Sequence, residues 1–230
     1  MARPLLLLHG ALYTAREFSP IMQAIGSMWS VLAIDFAGHG GQEFPDAPFS
    51  IDLFGREVIR KLDDAGVRSI DIMGYSMGGY VALWLALHYP ERVRGIVTLA
   101  TKLRWNPETA ARESAMLDPD RIEAKVPAFA QTLAARHGVD AWKDVVRRTA
   151  AMLRTLGESP SVPLDAARDI LHRVRLMVGD RDQMVSIEET AEFYRALPAG
   201  EFAVLPATPH PLEKTRVGAI IDAIDTLDEA

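Results

Sequence analysis

"IDIMGYSMGGYVALWLALHYP", residues 70–90, decides the reading of the fold. Residues 70–74 form a short apolar run of the kind that builds a buried strand, and residues 77–89 carry apolar side chains at helical spacing. Between them stands Ser76, in "GYSMGG", with Gly74 two positions before it and Gly78 two after. A serine boxed by glycines on a strand-to-helix turn fits the G-x-S-x-G pattern, whose strained turn exposes the hydroxyl beyond the end of the strand. Gly74 and Gly78 leave the space such a turn needs, and Gly79 lets the helix pack closely on the sheet. The start of the helix also offers unpaired N–H groups and a positive dipole end to a developing oxyanion. The competing reading is a Gly-Ser turn without chemistry; the strand before it and the helix after it favour a nucleophile. A phosphate loop is excluded, because neither G-x-x-x-x-G-K-[ST] nor G-x-G-x-x-G can be aligned here.

Outward from this turn, short apolar runs alternate with longer helical patterns. Residues 3–8, 31–35, 69–74, 93–100, 174–179 and 201–205 read as buried strands, and 17–28, 51–65, 77–89, 187–197 and 212–227 as helices. The alternation predicts an α/β fold, a mostly parallel sheet of about six strands with helices on both faces. Residues 102–163 break the pattern with helical stretches at 107–117, 119–137 and 141–156 and no strand. They predict a helical lid standing over one edge of the sheet, with "GESPSVP" (157–163) as its return linker. The expected organisation is a core of residues 1–101 and 164–230 interrupted by a lid of 102–163.

Composition narrows the function. A chain of 230 residues with 49% hydrophobic content can bury one sizeable core. Its formal charge of −6 and its scattered arginines give no basic stripe, so no nucleic-acid partner is expected. No apolar run approaches the roughly 18 residues of a membrane span. The apolar core of "MARPLLLLHGAL" is too short for the h-region of a signal peptide. Zero cysteines exclude disulfides, thiolate metal sites and a cysteine nucleophile, and fit a reducing compartment. A cytoplasmic protein without a membrane partner is the expectation.

A serine hydroxyl needs a base, and six histidines are available. His9 and His39 lie in glycine-containing turns after strands, where an imidazole commonly ties down a loop. His88 is late in the helix after Ser76, His137 belongs to the lid, and His172 precedes a strand. His210, in "LPATPHPLEKT", alone lies in a late strand-to-helix loop, at the carboxyl edge of the sheet where Ser76 also emerges. A plain helix-entry residue between two prolines is its alternative reading. For the carboxylate that orients this base, "LMVGDRDQMVS" offers Asp180 and Asp182 directly after a strand. Asp182 is better placed to reach the His210 loop, while Asp180 is placed to brace the turn. The D-x-D spacing lacks the further oxygen ligands of a calcium loop.

These motifs, taken in order, resemble the α/β-hydrolase fold superfamily over nearly the whole chain except the lid. "LLLLHGALYT" resembles its HG-containing loop after the first core strand, and "AIDFAGHGG" its D-x-P-G-H-G loop, with Ala37 in place of the commoner proline. "GYSMGG", "VGDRDQMV" and "PHP" follow, the last in place of the usual Gly-His. The resemblance implies a sheet with a reduced N-terminus and a triad of Ser76, Asp182 and His210. It also implies an oxyanion hole from the backbone N–H groups of Ala11 and Met77, in agreement with the unpaired N–H groups of a helix start. No metal or organic cofactor is required. A serine at the elbow argues against haloalkane dehalogenases and epoxide hydrolases, relatives built around an aspartate nucleophile.

The leading expectation is a serine carboxylesterase acting on small or medium esters, thioesters or lactones through an acyl-enzyme. One alternative is carbon–carbon bond hydrolysis of a diketone-like compound by the same triad, or an elimination such as the one in menaquinone biosynthesis. Another is a ligand receptor of low turnover on the same fold. Tyr13, Tyr75, Trp105 and Trp142 are the candidate substrate-binding residues, with Phe18, Met116, Phe129 and Met152 beside them; packing of the lid onto the core explains such residues as well. Lys102, Arg104 and Lys125 offer cations for a substrate carboxylate or phosphate, or simply a solvated lid surface.

Overall fold

The four leucines that end β1 (Arg3–Leu8) are all buried, and β3 (Ile70–Tyr75) is buried at every position. Strands apolar on both faces need cover on both sides, which is the condition for a parallel sheet inside helical layers. The computed structural model describes residues 2–228 and shows this arrangement. Six strands, these two with β2 (Trp29–Ile34), β4 (Val93–Leu99), β5 (Arg173–Gly179) and β6 (Gly200–Leu205), run parallel in the order β2-β1-β3-β4-β5-β6. Alternate residues of β1 feed different cores: Leu6 and Leu8 pack on one side of the sheet, Leu5 and Leu7 on the other.

On the Leu5 side lie α1 (Ser19–Ala24) and α9 (Val217–Asp225), contributing Ile21, Ile220 and Ile224. On the Leu6 side lie α2 (Ile51–Asp64), α3 (Met77–His88) and α8 (Ile187–Ala196). Residues 77–86 of α3 are buried without exception, because this helix is apolar all round and is enclosed between the sheet and its neighbours. The strand order reverses between β1 and β3, so the loops after these two strands open onto one crevice at the carboxyl edge. That switch point is where open α/β sheets hold their ligands.

Between β4 and β5 the chain inserts α4 (Pro107–Ala115), α5 (Pro119–Lys125), α6 (Pro127–His137) and α7 (Trp142–Glu158). The stretch expected as one helix over 119–137 divides at Val126, because Pro127 lacks an N–H and pushes the preceding residue out of the helical region. α7 runs two residues into the expected linker. The helix expected over 17–28 is shorter, a 3-10 turn and then α1 up to Ala24, and β2 begins at Trp29 instead of 31. The last expected helix, 212–227, is α9 flanked by 3-10 turns. Among the described residues no helix is long and apolar enough to cross a membrane.

Candidate active site

Ser76 joins β3 to α3 with φ 50° and ψ −115°, a conformation that a residue with a side chain rarely adopts. Such a conformation persists only where the surroundings dictate it. Here the Ser76 N–H donates to the Leu99 carbonyl at 2.8 Å, and the Ser76 carbonyl accepts from Gly79 N and Thr101 Oγ1, both at 3.1 Å. The glycines are sterically required. A Cβ on Gly74 would run into the backbone of Gly79, and one on Gly78 into the carbonyl of Leu8. Glycine at both positions therefore lets α3 start hard against β1 and β3, with the Ser76 side chain at the crevice.

The loops after β5 and β6 bring the other two residues together. Asp182 is held from both sides, its Oδ1 accepting from Met184 N and Val185 N at 2.8 Å each and its Oδ2 meeting His210 Nδ1 at 2.8 Å. Its side chain is 1% exposed, that of His210 15%. A carboxylate fixed this way accepts the Nδ1 proton, which leaves Nε2 as the basic nitrogen of His210. Tyr75 steadies the same loop, its hydroxyl donating to the His210 carbonyl at 3.1 Å. Asp180 is exposed and accepts from Thr208 N at 3.1 Å, tying the two loops together two residues before the histidine.

After β1, the chain turns through His9, Gly10, Ala11 and Leu12. His9 donates from Nδ1 to the Gly10 carbonyl at 2.8 Å and accepts from Phe36 N at 3.2 Å. Leu12 takes φ 61°, and its carbonyl receives Arg136 Nη1 at 3.3 Å and His137 Nε2 at 3.1 Å, both from the end of α6. The insertion thus grips the loop that carries Ala11. His137 in turn lies 5.5 Å from His39, which lies 5.1 Å from His9, ring centre to ring centre. Burial pushes His9 down to about 4 and His39 well below the usual imidazole range, and it lowers His137 as well. All three are neutral supports at neutral pH. His88 is exposed against the Trp84 ring, and His172 bonds the Pro90 carbonyl.

Two adjoining chambers meet at Ser76 and His210. The inner one, about 70 Å³, is lined by Ala11, Met77, Tyr80, Lys102, Trp105, Glu113, Met152 and Val185 among others. The outer one, about 600 Å³, is lined by Tyr13, Tyr75, Met116, Phe129, Gln183 and Pro209 among others. Ala11 and Met77 therefore flank Ser76, each with a backbone N–H that no acceptor meets among the described residues. Tyr13, Tyr75 and Trp105 reach the chambers. Trp142 does not: it is 4% exposed at the start of α7, packed into the core beneath the insertion. Lys102 is occupied, its Nζ bonded to the Met184 carbonyl at 2.7 Å and to Glu189 at 3.0 Å, and Arg104 pairs with Glu192. Lys125 is exposed at the end of α5 and lines neither chamber. Sequence reasoning missed Glu113 in the wall and Arg136 and His137 on the Leu12 carbonyl. Contacts across more than a hundred positions leave no local signal.

Comparison with known proteins bears on the fold and the family. Residues 3–201 match the family model of the alpha/beta hydrolase fold. The chain is 35% identical over 98 residues to a pimeloyl-[acyl-carrier protein] methyl ester esterase of Neisseria meningitidis, covering 43% of this chain and 36% of that protein. It is 35% identical over 106 residues to 3-oxoadipate enol-lactonase 2 of Acinetobacter baylyi, covering 46% and 39%. These matches span little more than a third of the relatives' own lengths. The crystal structure of the enol-lactonase from Burkholderia xenovorans superposes with a TM-score of 0.81 over 100% of this chain and 92% of that one, at 18% identity, a likeness of fold. With its elbow serine at the switch point of a six-stranded parallel sheet, the chain belongs to the α/β-hydrolase fold family.

Proposed function

We propose that this protein is a serine hydrolase cleaving small or medium carboxylic esters, including lactones, with Ser76 as nucleophile, His210 as base and Asp182 as its orienting carboxylate. The observation that carries the reading is the 2.8 Å contact between Asp182 and His210, in a loop that lines the same cavity as Ser76. Asp182 fixes the proton on Nδ1, so Nε2 takes the Ser76 hydroxyl proton as Oγ attacks the ester carbonyl. The carbonyl electrons move onto oxygen, where the N–H groups of Ala11 and Met77 stabilise the negative charge. Collapse of the tetrahedral species breaks the ester bond. His210 gives its proton to the departing alcohol and then activates the water that releases the acid. The methyl ester esterase and enol-lactonase names of the partial relatives support oxygen esters as the substrate class. The test is turnover of methyl and aryl esters of two- to eight-carbon acids by the wild type and by Ser76→Ala. Rapid turnover by the wild type, lost in the folded variant, is expected. Hydrolysis of vinylogous diketones in preference to esters would replace this reading with carbon–carbon cleavage, and no turnover of either by folded protein would favour a receptor.

A further inference from the structure

Glu113, on the last turn of α4, is a buried carboxylate with half of its bonding capacity unused. Its side chain is 4% exposed and it lines both chambers beside Ser76. Oε1 is held by the Arg112 guanidinium, at 2.9 Å from Nη2 and 3.2 Å from Nε. Oε2 is buried and meets no donor among the described residues. A charged oxygen so placed is costly unless something supplies a donor. A second unfilled group belongs to the same inner chamber: the indole N–H of Trp105 is buried and meets no acceptor among the described residues. Apart from Ser76 and His210, the other polar side chains of this chamber are already used. Tyr80 exchanges hydrogen bonds with Val162, and Lys102 is bonded to Met184 and Glu189.

Resting on the esterase reading above, we propose that Glu113 is a specificity-determining residue, and that the preferred substrate is an ester whose short acyl chain carries a hydroxyl group. A hydroxyl both donates and accepts, so one group can serve the Glu113 acceptor and the Trp105 donor, whereas an ammonium serves only the first. The acyl chain is assigned to the inner chamber because the departing alcohol needs the wider outer one to leave. A site built to bond a hydroxyl discriminates strongly against the analogue that lacks it, since the buried polar groups are then left unpaired.

The experiment compares kcat/KM for methyl butyrate, methyl 3-hydroxybutyrate as each enantiomer, and methyl 3-aminobutyrate, by titration of the acid released. The expected result is a preference of at least tenfold for one hydroxy ester over butyrate, falling to near unity in Glu113→Leu. A wild-type ratio near unity with butyrate cleaved overturns this inference and leaves the esterase reading standing. A preference unchanged in Glu113→Leu, or a larger one for the amino ester, also overturns it. No cleavage of any of the four overturns this inference, and overturns the esterase reading as well when the aryl esters are also left uncleaved. Should Glu113→Leu not fold, the wild-type ratio and the ratio in Trp105→Phe, expected to fall severalfold, decide the matter.

Discussion

Lowering the pH should unfold this protein through the histidines beneath the loop that carries Ala11, and His9 allows the size of the effect to be worked out. Its imidazole is fully enclosed, and burial holds it at about 4 against 6.5 in an unfolded chain. Between these values the unfolded chain binds a proton that the folded one refuses. The contribution is therefore fully present above pH 6.5 and is lost as the pH falls toward 4. For His9 alone the loss is about 1.4 kcal/mol at pH 5.5 and about 3 kcal/mol at pH 4. His39 and His137 act in the same direction, while the half-buried Asp35 carboxyl, pushed up by burial, acts against them. Urea unfolding followed by tryptophan fluorescence at several values between pH 7.5 and 4.5 gives the slope. His9→Asn keeps a donor toward the Gly10 carbonyl and removes the titration. The wild type should lose more stability than this variant, with the gap approaching one proton's worth, about 1.4 kcal/mol per pH unit near pH 5. Equal slopes in the two proteins would show that His9 does not carry the acid sensitivity.

Asp182→Asn should lower kcat on the order of 10⁴-fold. The Asn carbonyl would keep the Met184 and Val185 N–H bonds, turning the amide N–H toward His210 and forcing the ring proton onto Nε2. Asp180→Asn keeps its bond to Thr208 and should change kcat less than threefold; the reverse ranking would show that the wrong carboxylate was assigned. Glu189 joins the start of the insertion to α8, accepting from Lys102 Nζ, Leu103 N, Arg104 N and its own N-cap Ser186. Its removal leaves Lys102 partly buried without its carboxylate, so Glu189→Ala should cost about 3–5 kcal/mol and lower Tm by roughly 10 °C. A shift under about 2 °C in calorimetry would contradict that account.

The parts of this architecture written locally were legible in the sequence. Gly74, Ser76 and Gly78 lie within five residues, and the strand and helix around them are strongly patterned, so the elbow needed no tertiary information. Placement of Asp182 and His210 beside it follows from topology, since residues just beyond strands of a parallel sheet all emerge at one edge. The identity of the wall residues does not follow in this way. Trp105 and Trp142 both belong to the insertion, yet Trp105, in the coil before α4, reaches the inner chamber while Trp142, at the start of α7, packs into the core, because the direction of each side chain is set by packing against residues far away in sequence. Nothing in the local sequence marks Glu113, whose burial depends on α7 packing against α4. The break at Val126–Pro127 was visible as a proline, but the apolar spacing on either side of it ran through unbroken.

An activated Ser76 reacts with a fluorophosphonate at neutral pH, whatever the natural substrate. Peptide mass mapping of folded and heat-denatured protein locates any adduct, with Asp182→Asn as a second comparison. One adduct is expected, on Ser76, formed quickly in the folded wild type, slowly in Asp182→Asn and not at all after denaturation. Folded wild-type protein that remains unlabelled, or that is labelled on another residue, would contradict the role of Ser76 as nucleophile.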